Sequence, residues 1–201
     1  METVRPLITK ALALIPATDG AVAIDFGIGT GEETGALLHH GYSVIAIDNF
    51  KEFLDEVRLR KDVQPHLTRL FTIQANFEEL DWRPIPPVDL FVASFSLCFI
   101  QPEKFQSIWH HIVKQIKPGG YFIGELYTHL QRNTQIDGFF TEESSELIPL
   151  FTEKELRELL KDFESIYFAE AKELYEVQDT GHSEDGTIYS VIARRKELFS
   201  S

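Results

Sequence analysis

Residues 21–31 read Ala-Val-Ala-Ile-Asp-Phe-Gly-Ile-Gly-Thr-Gly, and a helix-like run over 32–40 follows at once, opening with Glu32 and Glu33. Asp25 closes an apolar, β-like segment, and glycine then recurs at Gly27, Gly29 and Gly31. Alternating glycines give the backbone access to positive φ and let a ligand approach without meeting a Cβ. A glycine-rich turn from strand to helix binds a nucleotide-like group above the strand's carboxyl end. Charge then selects the kind of group. A dinucleotide turn reads Gly-x-Gly-x-x-Gly and rests a pyrophosphate on the helix N-terminus. Here the third glycine comes one residue early, and Glu32 stands where the pattern requires glycine. The carboxylates of Asp25, Glu32 and Glu33 repel a pyrophosphate and offset the helix dipole. A cationic nucleoside without phosphate suits that field better. Thr30 and Glu33 are also spaced as a capping box, which would explain the helix start without any ligand.

Further candidates follow in order along the chain. The apolar run 43–47 ends in Asp48, followed by Asn49. A carboxylate at that strand tip can accept both hydroxyls of a ribose; its alternative role is N-cap of a helix over 51–60. The run 70–75 ends in Asn76-Phe77, a pair also common wherever a strand meets a turn. A fourth run, 88–94, leads into Ser94-Phe95-Ser96-Leu97, and Lys117-Pro118-Gly119-Gly120 precedes a fifth over 121–127. Taken together, these segments over 21–195 resemble the class I S-adenosylmethionine-dependent methyltransferases, whose glycine motif is Asp-x-Gly-x-Gly-x-Gly. The layout is similar to the small tellurite-resistance-type members. The resemblance implies S-adenosyl-L-methionine as cofactor, bound by Asp25, Gly27, Ile28, Gly29, Gly31, Asp48, Asn49, Asn76, Phe77, Ser94 and Phe95. Within that set, Asn76 and Phe77 would meet the adenine edge. Ser94 would contact the cofactor amine, and Phe95 would wall an apolar pocket.

Methyl transfer is an in-line displacement in which sulfonium charge is lost, so positioning and desolvation carry most of the work. A general base is needed only when the acceptor starts protonated. Glu125, Tyr127 and His129 stand at the exit of the fifth strand, where an open sheet places its substrate, and any of them could serve. Polar residues at an exposed strand end are the plain alternative. The connection 130–151 is unusually long and carries Phe139, Phe140, Leu147 and Ile148, as an acceptor lid would. The segment 3–14 is expected to cover the cofactor from the other side. Base-amine methyltransferases of this fold carry Asn/Asp-Pro-Pro-aromatic after the fourth strand, which Ser94-Phe95-Ser96-Leu97 does not match. A net charge of −13 also opposes binding to a polyanion. The expected acceptor is therefore a small molecule and not nucleic acid. A non-catalytic binding protein of the same fold and a nicotinamide-dependent oxidoreductase are the competing readings.

These residues need a scaffold that brings strand ends together. Strand and helix candidates alternate, which implies a doubly wound, mainly parallel sheet. Phe105, Ile108, Trp109, Ile112, Val113 and Ile116 form one apolar helical stripe. Thr152 and Glu155 are spaced as a capping box, and β-prone runs at 165–177 and 187–193 read as a hairpin. The expected fold is a single Rossmann-like α/β domain over 1–201: seven mostly parallel strands, one antiparallel C-terminal strand, and helices on both faces. Within it, 1–20 would be a helical cover, 21–128 the cofactor-binding core, 129–151 the lid, and 152–195 a helix plus hairpin. Adjacent histidines, as in His39-His40 and His110-His111, point about 100° apart on a helix and do not share an ion, so no metal is expected. Cys98, the one cysteine, reads as core. The longest apolar stretch, 90–100, falls short of the roughly 20 residues that cross a bilayer. No secretory leader is legible at the N-terminus, and cytoplasm is the expected location. Oligomeric state is not legible.

Overall fold

The computed structural model describes residues 4–15, 18–128, 151–176 and 183–197. Its centre is β1 (Val22–Phe26), a short apolar strand buried along almost its whole length. Two parallel neighbours flank it: β2 (Ser43–Asp48), with Asp25 opposite Ala46, and β4 (Val88–Ser94), with Asp25 opposite Val92. β3 (Leu70–Gln74) extends the sheet beyond β2, and β5 (Ile116–Thr128) lies parallel to β4. The full order is β3-β2-β1-β4-β5-β7-β6. β7 (Ser183–Arg195) runs antiparallel between β5 and β6 (Phe163–Glu176), as the expected hairpin requires. Strand order reverses on either side of β1, and a parallel sheet opens a crevice at that switch point.

Helices cover both faces because the strands are apolar on both. One cluster packs Phe26, Phe91 and Phe122 against Trp109 and Ile112 of α4 (Pro102–Gln115) and Leu156 of α5 (Glu153–Leu159). The Trp109 indole N–H donates to the Leu159 carbonyl at 3.0 Å, tying α4 to α5. The opposite cluster joins α1 (Pro6–Leu14), α2 (Glu32–His39) and α3 (Lys51–Leu59) through Ile8, Leu37 and Val57. Thr152 and Glu155 form the expected capping box at the start of α5.

The turn expected at Lys117-Pro118-Gly119-Gly120 lies inside β5, which starts at Ile116 directly after α4. The extra residues are taken up where the β4–β5 register shifts between Val88 and Leu90. Gly119 adopts φ +79°, as a bulge in an otherwise regular ladder requires. Gly120 sits so close to the neighbouring strand that an added Cβ would fall 3.0 Å from the Asp89 carbonyl oxygen. The proposed lid residues Phe139, Phe140, Leu147 and Ile148, and most of the hairpin turn, lie outside the described residues. Among the described residues, no helix is long and apolar enough to cross a membrane.

Candidate functional site

The three glycines of the β1–α2 turn all take positive φ, but for different reasons. A Cβ on Gly27 would stand 2.5 Å from the Ser96 Cβ and 3.2 Å from the Phe77 ring. One on Gly31 would stand 2.5 Å from Val57. Those two positions are closed by protein. At Gly29, φ +48°, a Cβ would meet no atom of the described residues within 4 Å, so this glycine faces open space among them. Ile28 between them is buried in the α1–α3 cluster. The capping-box reading of Thr30 and Glu33 is overturned. Gly31, in the left-handed conformation, is the N-cap of α2 and makes no side-chain cap, while the Thr30 hydroxyl donates to Glu32 instead.

The carboxylates around this turn are not equivalent. Arg60 donates to Glu32 at 2.6 Å. Burial alone would raise the Glu32 carboxyl, but hydrogen bonds from Thr30 and Arg60 outweigh it and hold the group below its usual range. Glu32 is thus already paired, and the cation-favouring field expected of three carboxylates falls to Glu33 and Asp48, with Asp25 contributing only as it ionises. Asp25 is 2% exposed. Burial first, then the neighbouring Glu33 and Asp48, push its carboxyl up to about 8, against the pull of a 2.6 Å hydrogen bond from Thr34. Burial likewise raises Glu33, whose Oε1 has no hydrogen-bond partner among the described residues. Asp48 accepts the Gly29 N–H at 3.3 Å and the Phe50 N–H at 3.0 Å, yet burial still raises it. The N-cap of α3 is Phe50, which sets aside that role for Asp48.

The adenine-side candidates are more open. Asn49 and Asn76 are exposed. The Asn76 side chain accepts the Glu78 N–H at 3.2 Å, fixing the turn after β3. Phe77 stacks on Phe26 with centroids 3.9 Å apart.

The ends of β4 and β5 make the other half of the crevice. The hydroxyls of Ser94 and Ser96 are buried without hydrogen-bond partners among the described residues. Phe95 holds φ +56°, a conformation that non-glycine residues adopt only when their surroundings enforce it. Its N–H donates to the Glu125 carbonyl at 3.2 Å, and its carbonyl accepts the Cys98 thiol at 2.8 Å. The Phe95 ring lies 4.9 Å from Tyr127, and the Arg5 guanidinium stands 4.5 Å over the same ring. Glu125 and Tyr127 are both buried, with a Glu125 oxygen 3.9 Å from Arg5. His129 lies outside the described residues. Burial pushes the Cys98 thiol up to about 12, so it is packing and not a nucleophile. His39, His110 and His111 are exposed, and among the described residues no group of three side chains is placed to hold a metal. Sequence reasoning missed Arg5, Thr34 and Ser96. A signal existed for Arg5, which immediately precedes Pro6, a residue suited to the first helical position.

A nucleoside with a ribose diol and a cationic end fits this donor set. Gly29 leaves room, Asp48 accepts, and the oxygens of Glu33, Ser94 and Ser96 that receive no hydrogen bond among the described residues can each take one. Comparisons with known proteins agree in kind. Phosphoethanolamine N-methyltransferase 1 of Triticum aestivum is 29% identical over 126 residues, 60% of this chain and 24% of that protein. The chain thus spans about a quarter of the length of that relative. TehB from Haemophilus influenzae superposes with a TM-score of 0.75 at 18% identity, over 96% of this chain and 63% of that one. The 1,6-didemethyltoxoflavin-N1-methyltransferase of Burkholderia thailandensis, solved with 1,6-didemethyltoxoflavin and S-adenosylhomocysteine bound, gives 0.63 at 21% identity, over 96% and 79%. At such identities the structures speak for the fold. The methyltransferase domain, as a family, matches residues 24–124, from the centre of β1 into β5 and across the carboxyl ends of β1 to β4, and the chain belongs to that family.

Proposed function

We propose that the protein transfers a methyl group from S-adenosyl-L-methionine to a small-molecule acceptor seated over the ends of β4 and β5. The observation that carries this reading is the pairing of an open Gly29 with a buried Asp48 carboxylate 3.3 Å from its N–H. When bound, the cofactor supplies an electrophilic methyl on a sulfonium, which becomes a neutral thioether once an acceptor lone pair has taken the carbon. Asp48 accepts from the ribose diol, and Asn49, Asn76 and Phe77 border the base. Asp48 and Glu33 make the crevice favourable to positive charge and unfavourable to phosphate, and Asp25 adds to that field as a bound cation ionises it. Ser94 offers a hydroxyl beside them, while Phe95 and Tyr127 keep water off the path between donor and acceptor. Glu125, Tyr127 or His129 takes a proton when the acceptor begins protonated.

A small molecule is favoured over nucleic acid by the net charge of −13 and by the absence of a proline turn at Ser94-Phe95-Ser96-Leu97. The test is release of S-adenosylhomocysteine with panels of small metabolites, RNA and DNA at low salt, together with calorimetry of S-adenosylhomocysteine and NADH. Methyl label entering metabolites supports the reading. Label confined to polymers, or tight NADH binding without S-adenosylhomocysteine binding, overturns it.

A further inference from the structure

The turn from Gly27 to Gly31 keeps its shape only with help from elsewhere in the chain. Gly27 donates its N–H to the Ile47 carbonyl at 2.8 Å, and Gly31 donates to Ile28 at 2.8 Å. The Thr34 N–H, which would reach back to the Thr30 carbonyl in a regular helix, is turned to Asp25. Arg60 supplies the missing donor: its Nη1 donates to the Thr30 carbonyl at 2.8 Å and to Glu32 at 2.6 Å. Asp62 holds the rest of the guanidinium, accepting from Nε at 3.1 Å and from Nη2 at 3.0 Å. Asp62 rests in turn against α2 at Gly35, where a Cβ would stand 2.6 Å from its Oδ2. Glycine weakens a helix interior, but at this position it leaves the room that seats Asp62. The Arg60 side chain is 25% exposed, so these bonds are largely sheltered from water.

Arg60 is the C-cap of α3, a turn beyond Val57, whose side chain fills the space that a Cβ on Gly31 would take. At the other end of α3, the N-cap Phe50 donates its N–H to Asp48, and Asp48 accepts the Gly29 N–H. The two ends of α3 therefore grip the turn at two points, Asp48 at Gly29 and Arg60 at Thr30. The grips are not equivalent. Asp48 stands beside the open space at Gly29, where a ribose diol would compete with the Gly29 N–H for its oxygens. Arg60 spends its donors on Thr30, Glu32 and Asp62, none of which a ligand at Gly29 needs to displace. We infer that Arg60 is a positioning residue, holding Gly29 to Gly31 in the conformation that receives the nucleoside while Asp48 turns to the ribose. The inference rests on the methyltransferase reading, under which a nucleoside fills that space.

Calorimetry with S-adenosylhomocysteine and the neutral 5′-methylthioadenosine separates positioning from charge. Arg60→Met should weaken both probes by the same factor, about fivefold to tenfold, the worth of one lost hydrogen bond read as affinity. Loss of a positive charge alone would leave the neutral probe unmoved. Amide exchange across Gly29 to Gly31 should quicken in Arg60→Met, and S-adenosylhomocysteine should slow it less than in the unaltered chain. Thr152→Ala, which uncaps α5, should lower the thermal midpoint and leave both affinities as they were. If it weakened both probes as Arg60→Met does, the effect would be one of stability and the inference would fail. Equal binding of 5′-methylthioadenosine by Arg60→Met and the unaltered chain also overturns it, whatever happens to the midpoint. Should Arg60→Met not melt cooperatively, Arg60→Lys decides: a loss of about threefold on both probes supports the inference, and unchanged affinity overturns it. Failure of the unaltered chain to bind either adenosine probe would instead count against the methyltransferase reading.

Discussion

The two halves of the crevice are built by different means. Over β1 and β2 the surface is mostly backbone: a glycine turn, the N–H groups of Gly29 and Phe50, and one carboxylate, Asp48, fixed by both. Over β4 and β5 it is mostly side chain, assembled from Arg5, Glu33, Phe95, Glu125 and Tyr127, which come from the segment before α1, from α2, from the turn after β4 and from β5. A backbone surface is specified by which residues lack a Cβ, and it suits a ligand part that does not change. A side-chain surface can be altered one residue at a time without refolding the turn. The first half suits an invariant nucleoside, the second a particular acceptor.

The largest effect should come from breaking the backbone half. Gly29→Val places a branched side chain in the open space beside Asp48, and calorimetry should show cofactor binding weakened more than about a hundredfold. Stability should fall by only about 1–2 kcal/mol, the cost of a left-handed residue. Gly27→Ala should do the reverse, because its Cβ would strike Ser96 at 2.5 Å; a lower thermal midpoint with less loss of affinity is expected. Next, Asp48→Ala should weaken S-adenosylhomocysteine roughly tenfold to a hundredfold, the worth of a charge-assisted hydrogen bond at about 1.5–3 kcal/mol.

A smaller effect, and one that sharpens the boundary between the halves, is proton release. Asp25 sits beneath both and is held near 8 chiefly by burial, with Glu33 and Asp48 adding to it. The folded chain therefore holds this proton more tightly than the unfolded chain, where the ordinary value is 3.8. Stability from this group is fully present below about pH 4 and is lost as pH rises through about 8. A cationic ligand favours the ionised form, so its affinity should rise with pH by up to about tenfold per unit until pH 8. Titration in buffers of different ionisation enthalpy should show a proton leaving on binding, and Asp25→Asn should abolish that release. The smallest effect belongs to a site outside both halves. Thr152→Ala removes the cap of α5 and should cost about 1 kcal/mol with no change in cofactor affinity, checked by denaturant melts beside calorimetry.

The backbone half was legible in the sequence because its signals are local. A strand, three alternating glycines and a helix lie within residues 22–39, and a turn of this kind depends on φ and on missing Cβ atoms, both properties of residue type. The same locality made the Thr152 capping box readable. Locality also misled. Thr30 and Glu33 carry the capping-box spacing, but Gly31 takes the N-cap and leaves Glu33 aimed at Arg5. Glu32 looked like a free anion until Arg60, distant in sequence, closed on it at 2.6 Å.

By itself, the sequence determined the order of strands and helices, the position of the glycine turn, the acids at the tips of β1 and β2, and an antiparallel end to the sheet. Each follows from periodicity or from the conformational range of single residues. Tertiary structure alone decided which of three glycines faces open space, which acid is already paired, which is driven up by burial, and that Arg5 arrives between Glu33 and Glu125. Burial and Coulomb energy depend on distance through space, and residues far apart in sequence fix that distance only when the sheet and its helices have closed around them.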